Sequence, residues 1–329
     1  MKKYLFILTM LAALVLAGCS GSPAENSAED DLTPLTVCLD WTPNINHAGF
    51  YTALANGYFA EEGLDVTITQ PADNYALQLV AAGQAEIGVS YQEEVTFART
   101  EDIPVVSIAA VLQHNTSGFA APADKGIRSL ADLSGKTYGG RGGQVEDALL
   151  AYLAEEYDYA QPVKNINIGS SDFFAATESG EIDFSWIFFG VTGVEAELRG
   201  VELDSFWIKD IDPALDYYTP VLVAEESWLA DNGDIAARFL TAAAKGYEFT
   251  AENPQEAADI LCEQVPELDA ELVHAGIEWL ADYYIAEAPY WGYQNAEIWQ
   301  GFSKWLIDRG LLDAAFDSAA AFTNDYLPQ

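Results

Sequence analysis

Residues 39–51 read LDWTPNINHAGFY. Asp40 supplies a carboxylate, Asn44 and Asn46 supply amides, His47 an imidazole, and Trp41, Phe50 and Tyr51 ring faces. Trp41 and Tyr51 suit stacking on a flat ring. Asp40, Asn44 and His47 suit polar contacts to its edge. The run follows LTVCL (35–39), which reads as a buried strand, and leads into a helical pattern near 47–59. Such a loop either fixes a turn or faces a ligand. On the turn reading Asn44 and Asn46 are turn formers, and His47 is a helix-start residue bonded to backbone.

A second group follows another strand end, at Ser90-Tyr91-Gln92-Glu93-Glu94. Ser90 with Glu93 three residues on has capping-box spacing, which accounts for both. Tyr91 and Glu94 remain as ligand candidates. Gly139-Gly140-Arg141-Gly142-Gly143 opens a helix at 143–157. Gly140 and its neighbours either hold an anion on backbone N–H groups or simply turn from strand to helix. The run matches neither a Walker nor a dinucleotide motif. Trp186 is either a cleft residue or strand core. Tyr217 and Tyr218 precede an apolar strand and either touch ligand or pack a hinge. Trp279, Trp299 and Trp305 read as helix-packing core, and Trp291, in APYWGYQ, is left open.

No catalytic set emerges. The three histidines are far apart and form no HExxH metal site, and no GxSxG elbow occurs. No metal and no cofactor is expected.

The elements that carry these residues alternate. LTVCL, LDVTITQ, EIGVS and IPVVSIAAVL are strands separated by helices, a βαβα order that predicts a mostly parallel sheet. A second α/β series runs from about residue 126, and YYTPVLVAEESWL (217–229) reads as a strand leaving it. The rest is helical, with Pro254 placed to start one helix and Gly310 to end another.

The chain begins MKKYLFILTMLAALVLAGCS, a basic start and a short apolar run, which predicts a secretory signal over 1–18. LAGC resembles a bacterial lipobox, implying lipidation of Cys19, and 19–34 reads as an acidic tether. Cys38 and Cys262 provide no disulfide framework. The chain holds 14 basic and 52 acidic side chains, a formal charge of −38. Loss of Lys2 and Lys3 leaves 12 − 52 = −40. That balance excludes nucleic-acid binding, which needs a basic surface.

DWTPNxNHxGFYxAxxxGYFxEEGLDVxI (40–68) resembles the opening of the NMT1/THI5-like solute-binding proteins. AEIGVSYQEE (85–94), SLADLSGKTYGG (129–140), GEIDFSWIF (180–188), YYTPVLVA (217–224) and AAAKGYEF (242–249) agree, so the resemblance covers nearly all of 35–312. It implies an α/β, type II periplasmic-binding-protein fold: two lobes, 35–115 plus 222–329 and 116–221, with two crossing strands and a helical C-terminal part. It implies an extracytoplasmic, lipid-anchored, monomeric binding protein of an ABC importer, working with a permease and a separate ATPase. The implied ligand is a thiamine pyrimidine precursor, a hydroxymethyl- or formylaminomethyl-aminopyrimidine. Sulfonate or taurine, riboflavin or another small solute is the alternative. Glu195 matches a family position expected to face the cleft. Arg141, where relatives commonly have Trp, favours a more anionic ligand. The family also includes fungal pyrimidine synthases. Their Schiff-base lysine and donor histidine fall here on Ser90 and Glu94, and their cysteine-rich segment falls on DPALDYYTPVLVA, which has no cysteine. No enzymatic activity is therefore expected.

Overall fold

Leu35, Val37 and Cys38 lie buried in β1 (Thr33–Cys38), which pairs in parallel with β2 (Leu64–Thr69) and β3 (Ile87–Ser90). The computed structural model describes residues 32–71, 76–169 and 171–328, one compact unit from Leu32 onward. The signal segment, Cys19 and most of the acidic tether lie outside the described residues. Thr33 and Pro34, read as the end of that tether, already pair with Leu64 and Asp65.

Two five-stranded sheets share one plan. With β4 (Val105–Ala110) and β10 (Val221–Glu225), the first sheet runs β2-β1-β3-β10-β4. The second contains β5 (Ser117–Pro122), β6 (Thr137–Gly140), β7 (Lys164–Asn167), β8 (Phe184–Phe188) and β9 (Leu203–Trp207), in the order β7-β6-β8-β5-β9. β10 runs antiparallel to both its neighbours, and so does β5. These are the two crossing strands. Every residue of β3 and β4 is buried, which is why they read as largely apolar runs, broken only by the buried Ser90 and Ser107.

The strand expected over 217–229 is shorter. β10 stops at Glu225, whose carboxylate accepts from Trp228 N–H (2.8 Å) and caps the helix Glu226–Glu252. Pro254 does start a helix, and Gly310 follows one in the left-handed conformation. Cys38 and Cys262 are both free.

Close packing fixes the floor of the first sheet. The helices Ala48–Ala55 and Glu226–Glu252 approach so closely that a Cβ on Gly246 would lie 2.1 Å from the Gly49 carbonyl oxygen. The Tyr247 hydroxyl donates to Asn46 O (2.8 Å), the Tyr284 hydroxyl to Ile45 O (2.9 Å), and Tyr247 stacks on Trp291 at 4.4 Å. Trp291, left open above, is thus wholly buried core. Of the three tryptophans read as core, Trp299 and Trp305 are buried, whereas Trp279 is half-buried and stacks 6.0 Å from Trp207 of the second sheet. The helix Ala296–Asp308 also departs from the lobe division drawn above: Phe302, Trp305 and Leu306 belong to the core beneath the second sheet.

An ion group ties the crossings together. His114, just before β5, places Nδ1 2.8 Å from Asp216 Oδ2 and Nε2 3.0 Å from Glu287 Oε2. Asp216 Oδ1 also accepts from Asn115 N–H (2.8 Å). The Asp216 bond, against the cost of burial and with help from Glu287, lifts the His114 pKa from 6.5 to about 9. A raised folded pKa gives stability that is complete below the unfolded value and lost as pH rises through the folded one. The melting temperature should therefore decline as pH rises from about 6.5 through about 9. His114→Gln should remove that component, and an unchanged pH profile in the variant would contradict it. The effect should be modest, because the imidazole is partly exposed to solvent.

Candidate ligand-binding site

The polar groups converge beyond the carboxyl ends of β1, β3 and β6, where open α/β sheets place ligands. Asp40 stands at the centre of the first set. Asn44 N–H donates to His47 Nδ1 (3.1 Å), so the ring proton sits on Nε2, which donates to Asp40 Oδ1 (2.7 Å). The Tyr91 hydroxyl donates to Asp40 Oδ2 (2.5 Å). Burial pushes the Asp40 carboxyl up, but these bonds prevail and hold it below its ordinary range. Burial, then the adjacent Asp40, drives the Tyr91 phenol well above its ordinary value.

Asn44 and His47 thus act as parts of the loop. The Asn44 side chain accepts from Asn46 N–H (3.0 Å), and His47 is fully buried. They hold Asp40 and leave Trp41 exposed at the rim. Across the rim the Arg141 guanidinium lies 5.0 Å from the Trp41 ring centroid, a cation–π contact between residues that follow β1 and β6.

The capping box expected at Ser90 and Glu93 does not form. Tyr91 occupies the N-cap position of the helix Gln92–Thr100, and the Ser90 hydroxyl donates to Glu94 Oε2 (2.7 Å). Burial raises the Glu94 pKa, and Asp40 adds to the rise. Glu93 is freed for the interior, against the Tyr217 hydroxyl. The same spacing does operate at Gly143 and Glu146. Glu146 Oε2 accepts from the N–H groups of Arg141 (3.1 Å), Gly142 (3.0 Å) and Gly143 (3.2 Å). The glycine loop therefore does bind an anion, and that anion is its own Glu146. Gly140 is needed for close approach, since a Cβ there would lie 2.4 Å from the Tyr138 ring. Glu146→Ala should cost about 1 kcal/mol, as loss of a helix cap does. It should also speed hydrogen exchange at 141–143, and unchanged exchange would show that the cap does not hold the loop.

Trp186 Nε1–H donates to Ser117 Oγ (2.8 Å), which donates to Asn115 Oδ1 (2.6 Å), so β8 is tied to a crossing segment. Tyr217 is buried and packs on Phe302 at 4.2 Å. Tyr218 turns elsewhere: its hydroxyl accepts from Asn295 N–H (2.8 Å) and its N–H donates to Gln92 Oε1 (2.9 Å). Tyr51 packs in the first core, and its carbonyl accepts from Gln264 Nε2 (3.0 Å). Glu195 pairs with Arg199 one turn along its own helix. Among the described residues, no side-chain hydrogen bond or ion pair joins Tyr51, Tyr218 or Glu195 to Asp40, His47 or Tyr91. Glu93, read from its spacing as a cap, belongs to the site region, and Glu146, Asn115, Ser117 and Tyr138 are further groups there that sequence reasoning missed; among these four, Glu146 alone had a readable signal, its spacing from Gly143.

Two surface depressions, of about 370 and 190 Å³, lie elsewhere. Trp228 and Glu225 line the first, and Pro213 and Asn295 the second. Neither gathers the carboxylates and rings described above, so the site rests on the convergence at the strand ends.

The NMT1/THI5-like family model matches residues 44–257. The chain belongs to the NMT1/THI5-like family. Among relatives, it is 34% identical to the formylaminopyrimidine-binding protein of Halalkalibacterium halodurans, over 98% of this chain and 99% of that one. It is 27% identical to the riboflavin-binding protein RibY of Chloroflexus aurantiacus, over 100% and 99% of the two chains. The solved alkanesulfonate-binding protein SsuA of Xanthomonas axonopodis pv. citri superposes with a TM-score of 0.68 at 15% identity, covering 89% and 99%. This NMT1/THI5-like chain therefore has the periplasmic-binding-protein fold expected from its sequence. Among its described residues, no helix is long and apolar enough to cross a membrane.

Proposed function

We propose that this protein is the extracytoplasmic binding component of an ABC importer, and that it captures a flat, amino-bearing heterocycle between its two sheets. A thiamine pyrimidine precursor, with a formylaminomethyl or hydroxymethyl substituent, fits best. The observation that carries the reading is the set of carboxylates and rings at the strand ends, Asp40, Glu93, Glu94, Trp41 and Tyr91. Ring faces hold a planar ligand, and carboxylates accept from an exocyclic amine. The name of the Halalkalibacterium halodurans relative supports the ligand class. An alkylsulfonate fits less well, because Glu146 fills the loop's backbone N–H groups and Arg141 faces the Trp41 ring. A synthase reaction has no support in Ser90 and Glu94, which bond to each other where the fungal enzymes need lysine and histidine. Lipidation at Cys19, attachment to the membrane, a monomeric state, a partner permease and a separate ATPase complete the proposal.

A thermal-shift panel of aminopyrimidines, riboflavin, taurine and aromatic sulfonates tests it. A ligand at a hundred times its dissociation constant adds about 2.7 kcal/mol. Aminopyrimidines should raise the melting temperature, and Trp41→Ala should weaken them by about tenfold through lost stacking. A rise with sulfonates alone would keep the importer and remove the ligand.

A further inference from the structure

The carboxylates of this site are nearly all engaged. Asp40 gives one oxygen to His47 and the other to Tyr91. Glu94 Oε2 is held by Ser90, Glu146 Oε2 by three backbone N–H groups, and Glu195 by Arg199. Glu93 is different: its Oε2 is sealed from solvent and has no hydrogen-bond partner. The Tyr138 hydroxyl, from β6, is also buried without a partner. A buried carboxylate oxygen left unpaired is costly, and a native structure that keeps one does so for a reason, of which a functional role is one. Glu93 sits on the first turn of Gln92–Thr100, one residue from Glu94 and two from Tyr91.

Resting on the heterocycle reading above, we propose that Glu93 recognises the amidine edge of the ligand, a ring nitrogen beside an exocyclic amine, by sharing one proton with it. One carboxyl oxygen accepts from the amine. The other shares its proton with the ring nitrogen, so the pair holds one proton and no unpaired polar atom. Above neutral pH, where carboxylate and free ligand are both deprotonated, forming the complex takes up one proton from water.

The surroundings favour that proton. Burial raises the Glu93 pKa to about 7; the Tyr217 hydroxyl opposes the rise, and Glu94 and Glu146 add to it. Tyr91 also faces it, its own phenol pushed up in part by Glu93. The groups against Glu93 are thus acids or phenols from its own helix, the crossing segment and the second sheet's helix, none of which stabilises an ionised carboxylate by opposite charge.

The test is the affinity of the full chain for 4-amino-5-hydroxymethyl-2-methylpyrimidine between pH 6 and 9, for wild type, Glu93→Gln and Glu93→Leu. Wild-type affinity should fall about tenfold per pH unit on the alkaline side, the slope of one-proton uptake. Glu93→Gln keeps a donor and an acceptor, so it should bind at pH 7 within several-fold of wild type but lose the slope. Glu93→Leu should weaken binding by about 10- to 100-fold. A wild-type slope in the Gln variant, or wild-type affinity in the Leu variant, would overturn the role of Glu93 and leave the heterocycle reading standing. No binding by wild type at any pH would overturn that reading and the inference with it. The Gln variant decides the matter if the Leu variant does not fold.

Discussion

Asp40→Ala is expected to cost about 3 kcal/mol of stability and to abolish the order of the 40–47 loop. The substitution leaves the His47 Nε2–H and the Tyr91 hydroxyl without their acceptor, and both groups are largely buried. Each unsatisfied buried group costs about 1–3 kcal/mol, and the two bonds already outweigh the desolvation of the Asp40 charge, so their loss dominates the relief of removing it. His47 cannot turn to another partner cheaply, because its Nδ1 already accepts from Asn44 N–H. The sign of the pH dependence follows. The Asp40 pKa is lowered on folding, so its contribution is present above the unfolded value and lost as pH falls through the folded one. Urea unfolding of wild type and variant at pH 7 and pH 3 should show a gap that narrows in acid. A gap of equal size at both values would show that the loss comes from packing, not from the carboxylate.

Gly246→Ala should also destabilise the protein, although it looks benign from helix propensity alone. Alanine in a helix interior gains about 1 kcal/mol over glycine. At this position the added Cβ would lie 2.1 Å from the Gly49 carbonyl oxygen and 2.8 Å from the Ala53 Cβ. The obstacle is backbone, which cannot rotate away, so the helices Ala48–Ala55 and Glu226–Glu252 must separate. Overpacking of this kind costs about 1–3 kcal/mol or more, which outweighs the propensity gain. Separation would also draw the Tyr247 hydroxyl from Asn46 O and loosen the loop that carries Trp41. The variant should unfold at lower denaturant and bind ligand more weakly. Unchanged stability would mean that the two helices have slack the packing does not show.

The alternation of strands and helices was legible because buried strands such as β4 leave largely apolar runs and helix ends carry Pro254 and Gly310. Which strands cross was not legible from periodicity. Nothing local to VLVAE says that it inserts between β3 and β4, where the pairing places it; the family resemblance implied only that two strands cross. The strand end at Glu225 was misplaced because a capping carboxylate and a strand residue look alike until Trp228 N–H is seen to reach it. In the site, the loop at Asp40 was visible as an excess of polar and aromatic groups. Sequence could not divide the labour within it. His47 and Asn44 hold the loop, and Trp41 is left at the rim with Arg141. Ser90 and Glu93 have the spacing of a capping box, but Tyr91 takes the cap position and Ser90 bonds Glu94, which leaves Glu93 with a buried, unclaimed oxygen. Spacing proposes a bond, and the competing partners decide whether it forms.

The most direct test is titration calorimetry of 4-amino-5-hydroxymethyl-2-methylpyrimidine, and of its formylaminomethyl counterpart, into wild type and Trp41→Ala. Saturable one-to-one binding to wild type, weakened by about tenfold in Trp41→Ala, is the result expected of a heterocycle held against the Trp41 ring between the sheets. Equal affinity in the two proteins, or no heat with either pyrimidine while an alkylsulfonate binds, would contradict it.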